Sequence, residues 1–189
     1  YLKELGVDTL WLSPIFPSPN ADYGYDISDY RAINPEFGTM EDFERLLAEA
    51  KARGIRILLD LVPNHTSDQH AWFRAALADA NSEYRDYYIF RKGKNGGPPN
   101  NWLSFFGGSS WTKDEKSGEY YLTSFTPRQC DLNWENPKLR REMYDMMRFW
   151  LDKGVGGFRI DVVNLIKKPA GFPDKNPEKR GLQFPAELV

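Results

Sequence analysis

Apolar positions along this chain follow two spacings. Residues 7–12 (Val-Asp-Thr-Leu-Trp-Leu) form a short apolar run ended by Ser13-Pro14, which predicts a strand. A loop rich in Pro, Asn, Asp, Tyr and Gly follows over 17–38. Thr39 then reads as a helix N-cap with Asp42 three residues on, and Phe43, Leu46, Leu47 and Ala50 recur at helical spacing until Gly54. Residues 55–62 are almost continuously apolar, the pattern of a strand covered on both faces, interrupted only by Arg56 and Asp60. Much later the pattern resumes. Asn136-Pro137 predicts a helix start, Leu139, Met143, Met146, Met147, Phe149 and Trp150 supply its apolar positions, and Gly154 ends it before a strand at 158–162. Strand–helix–strand units of this length predict parallel, right-handed crossovers.

Between these stretches the chain changes character. After Asp68 as a cap, 69–79 reads as a helix, 92–101 is rich in Gly, Pro and Asn, and 119–123 reads as a small strand. A connection of this length inside one domain is functional or a subdomain of its own. The expected organisation is therefore 1–65 (strand–helix–strand), an inserted subdomain over 66–135, and 136–189 (helix, strand and a loop through 167–187).

Composition narrows the partners. A net charge of -2 argues against a nucleic-acid footprint, and no apolar window approaches membrane-spanning length. The single cysteine, Cys130, forms no internal disulfide, so nothing requires an oxidising compartment and a cytoplasmic location is expected. The chain begins on Tyr1 in what reads as the end of a helix, so a piece of a longer protein is expected. Aromatic residues make up 15%, a share that suits flat sugar faces as well as ordinary core packing.

Chemistry in parallel α/β folds gathers at the C-terminal ends of strands. Three such ends carry Asp22-Tyr23-Gly24-Tyr25-Asp26, then Asp60-Leu61-Val62-Pro63-Asn64-His65, then Arg159-Ile160-Asp161. Residues two apart on a strand share a face, so Arg159 and Asp161 are expected side by side, with the guanidinium keeping the carboxylate ionised. A held, ionised aspartate suits a nucleophile, and it equally suits a structural ion pair. Asp60 alone also reads as a loop-capping carboxylate, His65 as a hydrogen-bonded structural histidine, and Tyr25 as packing. Asn64-His65-Thr66 matches a glycosylation sequon by coincidence of position. No Gly-rich phosphate loop, His-Glu-x-x-His, paired-Cys metal spacing or Gly-x-Ser-x-Gly elbow is present.

Four ordered blocks resemble the α-amylase family of glycoside hydrolases, in its oligo-1,6-glucosidase/α-glucosidase branch. They are Gly24-Tyr25-Asp26-Ile27-Ser28-Asp29-Tyr30, Asp60-Leu61-Val62-Pro63-Asn64-His65, Gln129-Cys130-Asp131-Leu132-Asn133 and Gly157-Phe158-Arg159-Ile160-Asp161. The resemblance implies an α/β fold, part of a (β/α)8 TIM barrel (strands two to four), with a B subdomain inserted after the third strand. It implies retaining hydrolysis of α-glucosidic bonds at the non-reducing end of a small oligosaccharide. Asp161 matches the nucleophile and Arg159 the arginine that orients it. His65 resembles the histidine on the first-subsite sugar, Tyr25 the aromatic platform beneath it, and Asp22 the acid that grips the non-reducing end. Asp60 looks like a supporting residue, while Phe125 and Gln129 fall on the aglycone side.

The general acid and the second aspartate of the family have no match here, so the piece by itself is expected to be inactive. No cofactor is implied. The calcium-binding loop of the branch would precede Tyr1, and Asn64, a calcium ligand in the amylases proper, lies at a site this branch generally lacks. Cys130 stands where the branch usually has proline. Val162, after the nucleophile, goes with α-1,6 preference in the branch. A sucrose isomerase or other transglycosylase on the same scaffold, and a non-catalytic transporter heavy-chain ectodomain, remain the alternatives.

Overall fold

A computed structural model describes residues 1–176. In chain order the strands are β1 (Thr9–Trp11), β2 (Arg56–Leu61), β3 (His65–Ser67), β4 (Phe90–Lys92), β5 (Trp111–Lys113), β6 (Glu119–Leu122), β7 (Gln129–Asp131) and β8 (Gly157–Ile160). The helices are α1 (Met40–Ala52), α2 (Ala71–Ala78) and α3 (Pro137–Asp152), with 3-10 turns at Arg85–Tyr87 and Val163–Leu165.

Strands β1, β2 and β8 form a parallel sheet with β2 in the centre, pairing Leu10 with Ile57 and Asp60 with Arg159. The parallel order follows from the helical connections, as the sequence pattern predicts. α1 begins with a reciprocal cap: Thr39 Oγ1 accepts the Asp42 N–H at 3.2 Å and the Asp42 carboxylate accepts the Thr39 N–H at 3.0 Å. It buries Phe43, Leu47 and Ala50, whereas Leu46 is exposed. Gly54 ends it with φ +67°, a conformation that glycine adopts without a Cβ clash. In α3, Asn136 caps with its side chain on Lys138 N–H and Pro137 takes the first turn. Trp150 of α3 is fully buried, packs edge-on against Phe43 at 5.4 Å, and donates its indole N–H to Tyr30 O at 2.8 Å. That bond ties the loop 17–38 to the core.

β4, β6 and β5 form an antiparallel sheet, pairing Phe90 with Tyr121 and Trp111 with Leu122. Ile89, Trp102, Trp111 and Leu122 make a small apolar cluster separate from the main core. β3 and β7 pair antiparallel, His65 with Asp131 and Ser67 with Gln129.

Several local expectations shift. Residues 1–6 form hydrogen-bonded turns rather than a helix end, with Leu5 N–H on Tyr1 O. β8 stops at Ile160, before the expected end at 162, because Val162 turns left-handed at φ +38° and ψ +40°. His70, not Asp68, caps α2: its Nδ1 accepts Trp72 N–H at 3.2 Å, while the Asp68 carboxylate is engaged by Arg128 at 3.3 Å. Residues 166–176 carry no helix or strand, and the remainder of the expected loop 167–187 lies outside the described residues.

Candidate active site

The C-terminal ends of β1, β2 and β8 bring the first group of polar residues together. Asp161 N–H donates to Leu61 O at 2.8 Å, which extends the parallel ladder one residue past β8 and fixes the aspartate backbone. Arg159 Nη1 donates to Asp161 Oδ1 at 2.7 Å, so the two residues meet as their spacing predicts. The same nitrogen also donates to Asp60 Oδ1 at 3.0 Å and Oδ2 at 3.1 Å. One guanidinium nitrogen thus serves two carboxylates, a sharing that the i, i+2 pattern does not reveal.

Asp60 is 1% exposed. Burial pushes its carboxyl above the ordinary range, against the pull of Arg159 and of the Tyr25 hydroxyl that donates to Oδ2 at 3.1 Å. The Tyr25 phenol is pushed up to about 12, by burial first and then by the charge of Asp60. Tyr25 therefore stays a proton donor at neutral pH, with its hydroxyl anchored on Asp60 and its ring half-buried against the main core.

A second chain of contacts runs from the loop 17–38. Asp26, fully buried, accepts Ser18 Oγ at 2.8 Å, Ala21 N–H at 2.9 Å and Asp22 N–H at 3.0 Å, so it shapes the loop that presents Asp22 and Tyr25. Between them Gly24 adopts φ +94°, and a Cβ there would sit 3.3 Å from Pro14 O. Asp22 Oδ2 accepts Gln129 Nε2 at 2.9 Å, and the Gln129 amide oxygen accepts Thr126 N–H at 3.1 Å. Gln129 Nε2 also lies 3.1 Å from His65 Nε2.

His65 is 1% exposed, and burial lowers its pKa. With the proton on Nε2, a neutral ring accepts from Asn64 Nδ2 at Nδ1 (3.1 Å) and donates to Tyr25 O (3.1 Å), while the Gln129 amide, a donor to Asp22, touches Nε2 without a hydrogen bond. Phe125 lies 5.2 Å from the imidazole, ring to ring. Asp22, Tyr25, His65, Gln129 and Phe125 therefore form one connected wall, and Asp60, Arg159 and Asp161 form its floor. Val162 lies beside the floor in its left-handed conformation.

Other residues belong to this constellation without having been singled out by sequence. Lys168 Nζ lies 2.8 Å from Asp131 Oδ2, 2.8 Å from Asn64 Oδ1 and 2.5 Å from Leu165 O, so an ammonium fills an oxygen-lined socket behind His65. Asp131, fully buried, also accepts Ser124 N–H at 2.8 Å and Ser124 Oγ at 2.6 Å. Phe105 stacks on Phe125 at 5.1 Å and Phe106 lies 5.8 Å from it, extending the aromatic wall outward. Asn64 and Asp131 stand in the quoted blocks, which was the available signal. Lys168, Phe105 and Phe106 had none, since they are a loop lysine and a loop Phe-Phe pair. Among the described residues no cluster of three or more His, Cys, Asp or Glu side chains is arranged to hold a metal ion.

The chain resembles known proteins over nearly its whole length. It is 61% identical to the oligo-1,6-glucosidase of Parageobacillus thermoglucosidasius over 178 residues, 94% of this chain and 32% of that protein. It is 57% identical to the trehalose-6-phosphate hydrolase of Bacillus subtilis over 175 residues, 92% of this chain and 31% of that protein. The crystal structure of an isomaltulose synthase from Klebsiella sp. LX3 superimposes with a TM-score of 0.93 at 57% identity, covering 95% of this chain and 32% of that one. The chain thus spans about a third of the length of the relatives it matches. Residues 1–186 match the family described as the alpha amylase catalytic domain, and the chain belongs to the alpha-amylase family of glycoside hydrolases.

Proposed function

We propose that this chain is part of the catalytic domain of an exo-acting, retaining α-glucosidase that prefers α-1,6 linkages in short oligosaccharides. The observation that carries the reading is Asp161, fixed at the end of β8 by Leu61 O and oriented by Arg159 at 2.7 Å, facing the wall of Asp22, Tyr25, His65 and Gln129. In this reading Asp161 attacks the anomeric carbon and its oxygen replaces the departing sugar oxygen. A water oxygen then replaces Asp161 with a second inversion, giving net retention. Arg159 holds the carboxylate in line, and Asp60 with Tyr25 anchors Arg159 from beneath.

Asp22, fixed by Gln129, grips hydroxyls of the terminal sugar, and the neutral His65 reaches the same sugar by sharing the Nε2–H that it gives to Tyr25 O. Phe125 lines the side where the leaving sugar sits. Val162 narrows that side, which disfavours α-1,4-linked sugars and supports the α-1,6 preference. On the same reading β1, β2 and β8 are the second to fourth strands of a barrel, 1–65 and 136–189 are barrel segments, and 66–135 is the inserted subdomain. No carboxyl in the chain matches the family's general acid, so the 189 residues alone are inactive.

The experiment uses the intact protein. Proton NMR of the glucose first released from p-nitrophenyl α-glucoside should show the α-anomer, Asp161→Asn should abolish turnover, and Val162→Ala should lower the isomaltose/maltose ratio of kcat/KM. An unchanged ratio removes the linkage proposal, and β-glucose as first product removes the retaining mechanism. A second reading, sucrose isomerisation on the same scaffold, is favoured by the similarity to isomaltulose synthase. It is distinguished by sucrose giving isomaltulose rather than glucose and fructose.

A further inference from the structure

The segment that follows Asp161 is tied to the antiparallel sheet at a second place. Asn101 pairs with Lys175 in both directions, its Oδ1 accepting Lys175 N–H at 2.8 Å and its Nδ2 donating to Lys175 O at 2.8 Å. Asn101 N–H donates to Asp174 Oδ1 at 3.0 Å, and Trp102 Nε1–H donates to Pro173 O at 2.8 Å. Asn100 Nδ2 donates to Phe172 O at 3.1 Å. The Phe172 ring packs 5.5 Å from Trp102 and 5.9 Å from Trp111, with the Arg91 guanidinium 4.6 Å above it. Phe172 is held at φ +49°, a backbone state that a non-glycine residue keeps only where its surroundings enforce it.

The other end of this clamp leads directly to the aromatic wall. Ser104 Oγ bonds Phe125 O, and Phe105 N–H donates to Ser124 O at 2.9 Å. Phe105 stacks on Phe125, which touches His65. Asn101 and Trp102 thus stand between two parts of one site: the segment leaving Asp161, and the wall of Phe105, Phe106 and Phe125. Lys168 pins the same segment on the other side, in the Asn64–Asp131 socket.

We propose that Asn101 and Trp102 are positioning residues that fix the distance between the aromatic wall and Asp161, and thereby the share of glucosyl groups passed to a sugar rather than to water. The inference rests on the α-glucosidase reading. In the second step the bond from the anomeric carbon to Asp161 breaks while a hydroxyl oxygen of water or of an acceptor sugar bonds to that carbon. The hydroxyl proton leaves to the base that earlier, as an acid, protonated the departing sugar. Water needs no wall, whereas an acceptor sugar reacts only where a surface holds it in line. A wall that moves independently of Asp161 loses acceptor transfer before it loses hydrolysis.

The test uses the intact protein with p-nitrophenyl α-glucoside as donor and free glucose as acceptor. Trp102→Phe keeps an aromatic ring, though a smaller one, and removes the bond to Pro173 O, and Asn101→Ala removes the paired bonds to Lys175. The expected result is a threefold or larger fall in the ratio of disaccharide formed to glucose released, with kcat/KM for nitrophenol release within twofold of the parent. A constant ratio, or equal loss of both products, overturns the proposal, since a purely structural role lowers both together. Amide hydrogen exchange on the same variants supplies a readout independent of activity. Segments 172–175 and 104–106 should lose protection together, and release of 172–175 alone refutes the coupling. A parent enzyme that releases no nitrophenol sinks the α-glucosidase reading and with it the transfer role, whereas the exchange experiment still decides the clamp.

Discussion

Lys168 and Asp131 form an ion pair at 2.8 Å with side chains only 9% and 0% exposed. Residues 37 positions apart in sequence are thereby locked behind His65. Removing one member of a buried pair strands the other charge and costs about 3–5 kcal/mol. Lys168→Met should therefore lower the unfolding free energy of the intact protein by roughly that amount in urea titration. Adding Asp131→Asn should recover at least half of it, because the amide oxygen still accepts from Ser124 and no bare carboxylate remains. Parent-like stability in the single variant would show that the pair is energetically idle.

Arg159 holds Asp60 and Asp161 through one nitrogen, so the two carboxylates are expected to respond together. Arg159→Met should lower kcat by roughly 10²-fold or more, the scale of losing one organising hydrogen bond at a reacting centre. Arg159→Lys should keep part of the activity, since bridging requires one cationic nitrogen rather than the full fork. Steady-state kinetics decides: equal loss in both variants would mean that the planar fork itself is required.

His70 is 5% exposed, and burial lowers its pKa to about 4 from an unfolded value of 6.5. Above pH 6.5 the ring is neutral in both states and contributes nothing to pH dependence. Below it the unfolded chain takes up a proton that the folded chain refuses, so stability falls between pH 6.5 and 4, by about 3 kcal/mol at ~1.4 kcal/mol per unit. Asp29 faces the ring and opposes part of the shift. His70→Asn keeps an N-cap acceptor for Trp72 N–H and should flatten this acid limb. His65, lowered in the same direction, retains its own share. An unchanged pH profile of the urea midpoint would rule out His70 as a source.

Val162 is a β-branched residue at φ +38° and ψ +40°. The left-handed region costs a side-chain-bearing residue about 1–2 kcal/mol. Val162→Gly should consequently be more stable than Val162→Ala by about 1 kcal/mol, reversing the usual order of these residues. Denaturant unfolding of the two variants gives the answer, and an alanine variant at least as stable as the glycine variant would remove the strain argument.

Helix starts and stops with strong local signals were legible. The α1 capping box of Thr39 and Asp42, the Asn136-Pro137 start of α3 and the glycine stops at 54 and 154 are all set by neighbours within a few residues. The parallel sheet followed from helical crossovers. The β3–β7 pairing was not legible, because each strand has three residues and its partner lies more than 60 positions away. The cap of α2 was misplaced for a related reason: Arg128, distant in sequence, claims Asp68. Two strand ends converged as the pattern suggested, Asp60 of β2 meeting Arg159 and Asp161 of β8. The bond from Gln129 to Asp22, across 107 positions, has no local signature.

Cys130 pairs with Thr66 in the β3–β7 ribbon and is fully buried, with its thiol pushed well above the ordinary range by that burial. A thiol reagent reaches it only when the ribbon carrying His65 and Gln129 parts. The sulfur is thus a built-in clock for opening of the wall: its labelling rate, read by mass spectrometry on the peptide around Cys130, counts openings without any substrate. A sugar that seats against His65 and Gln129 should slow that clock.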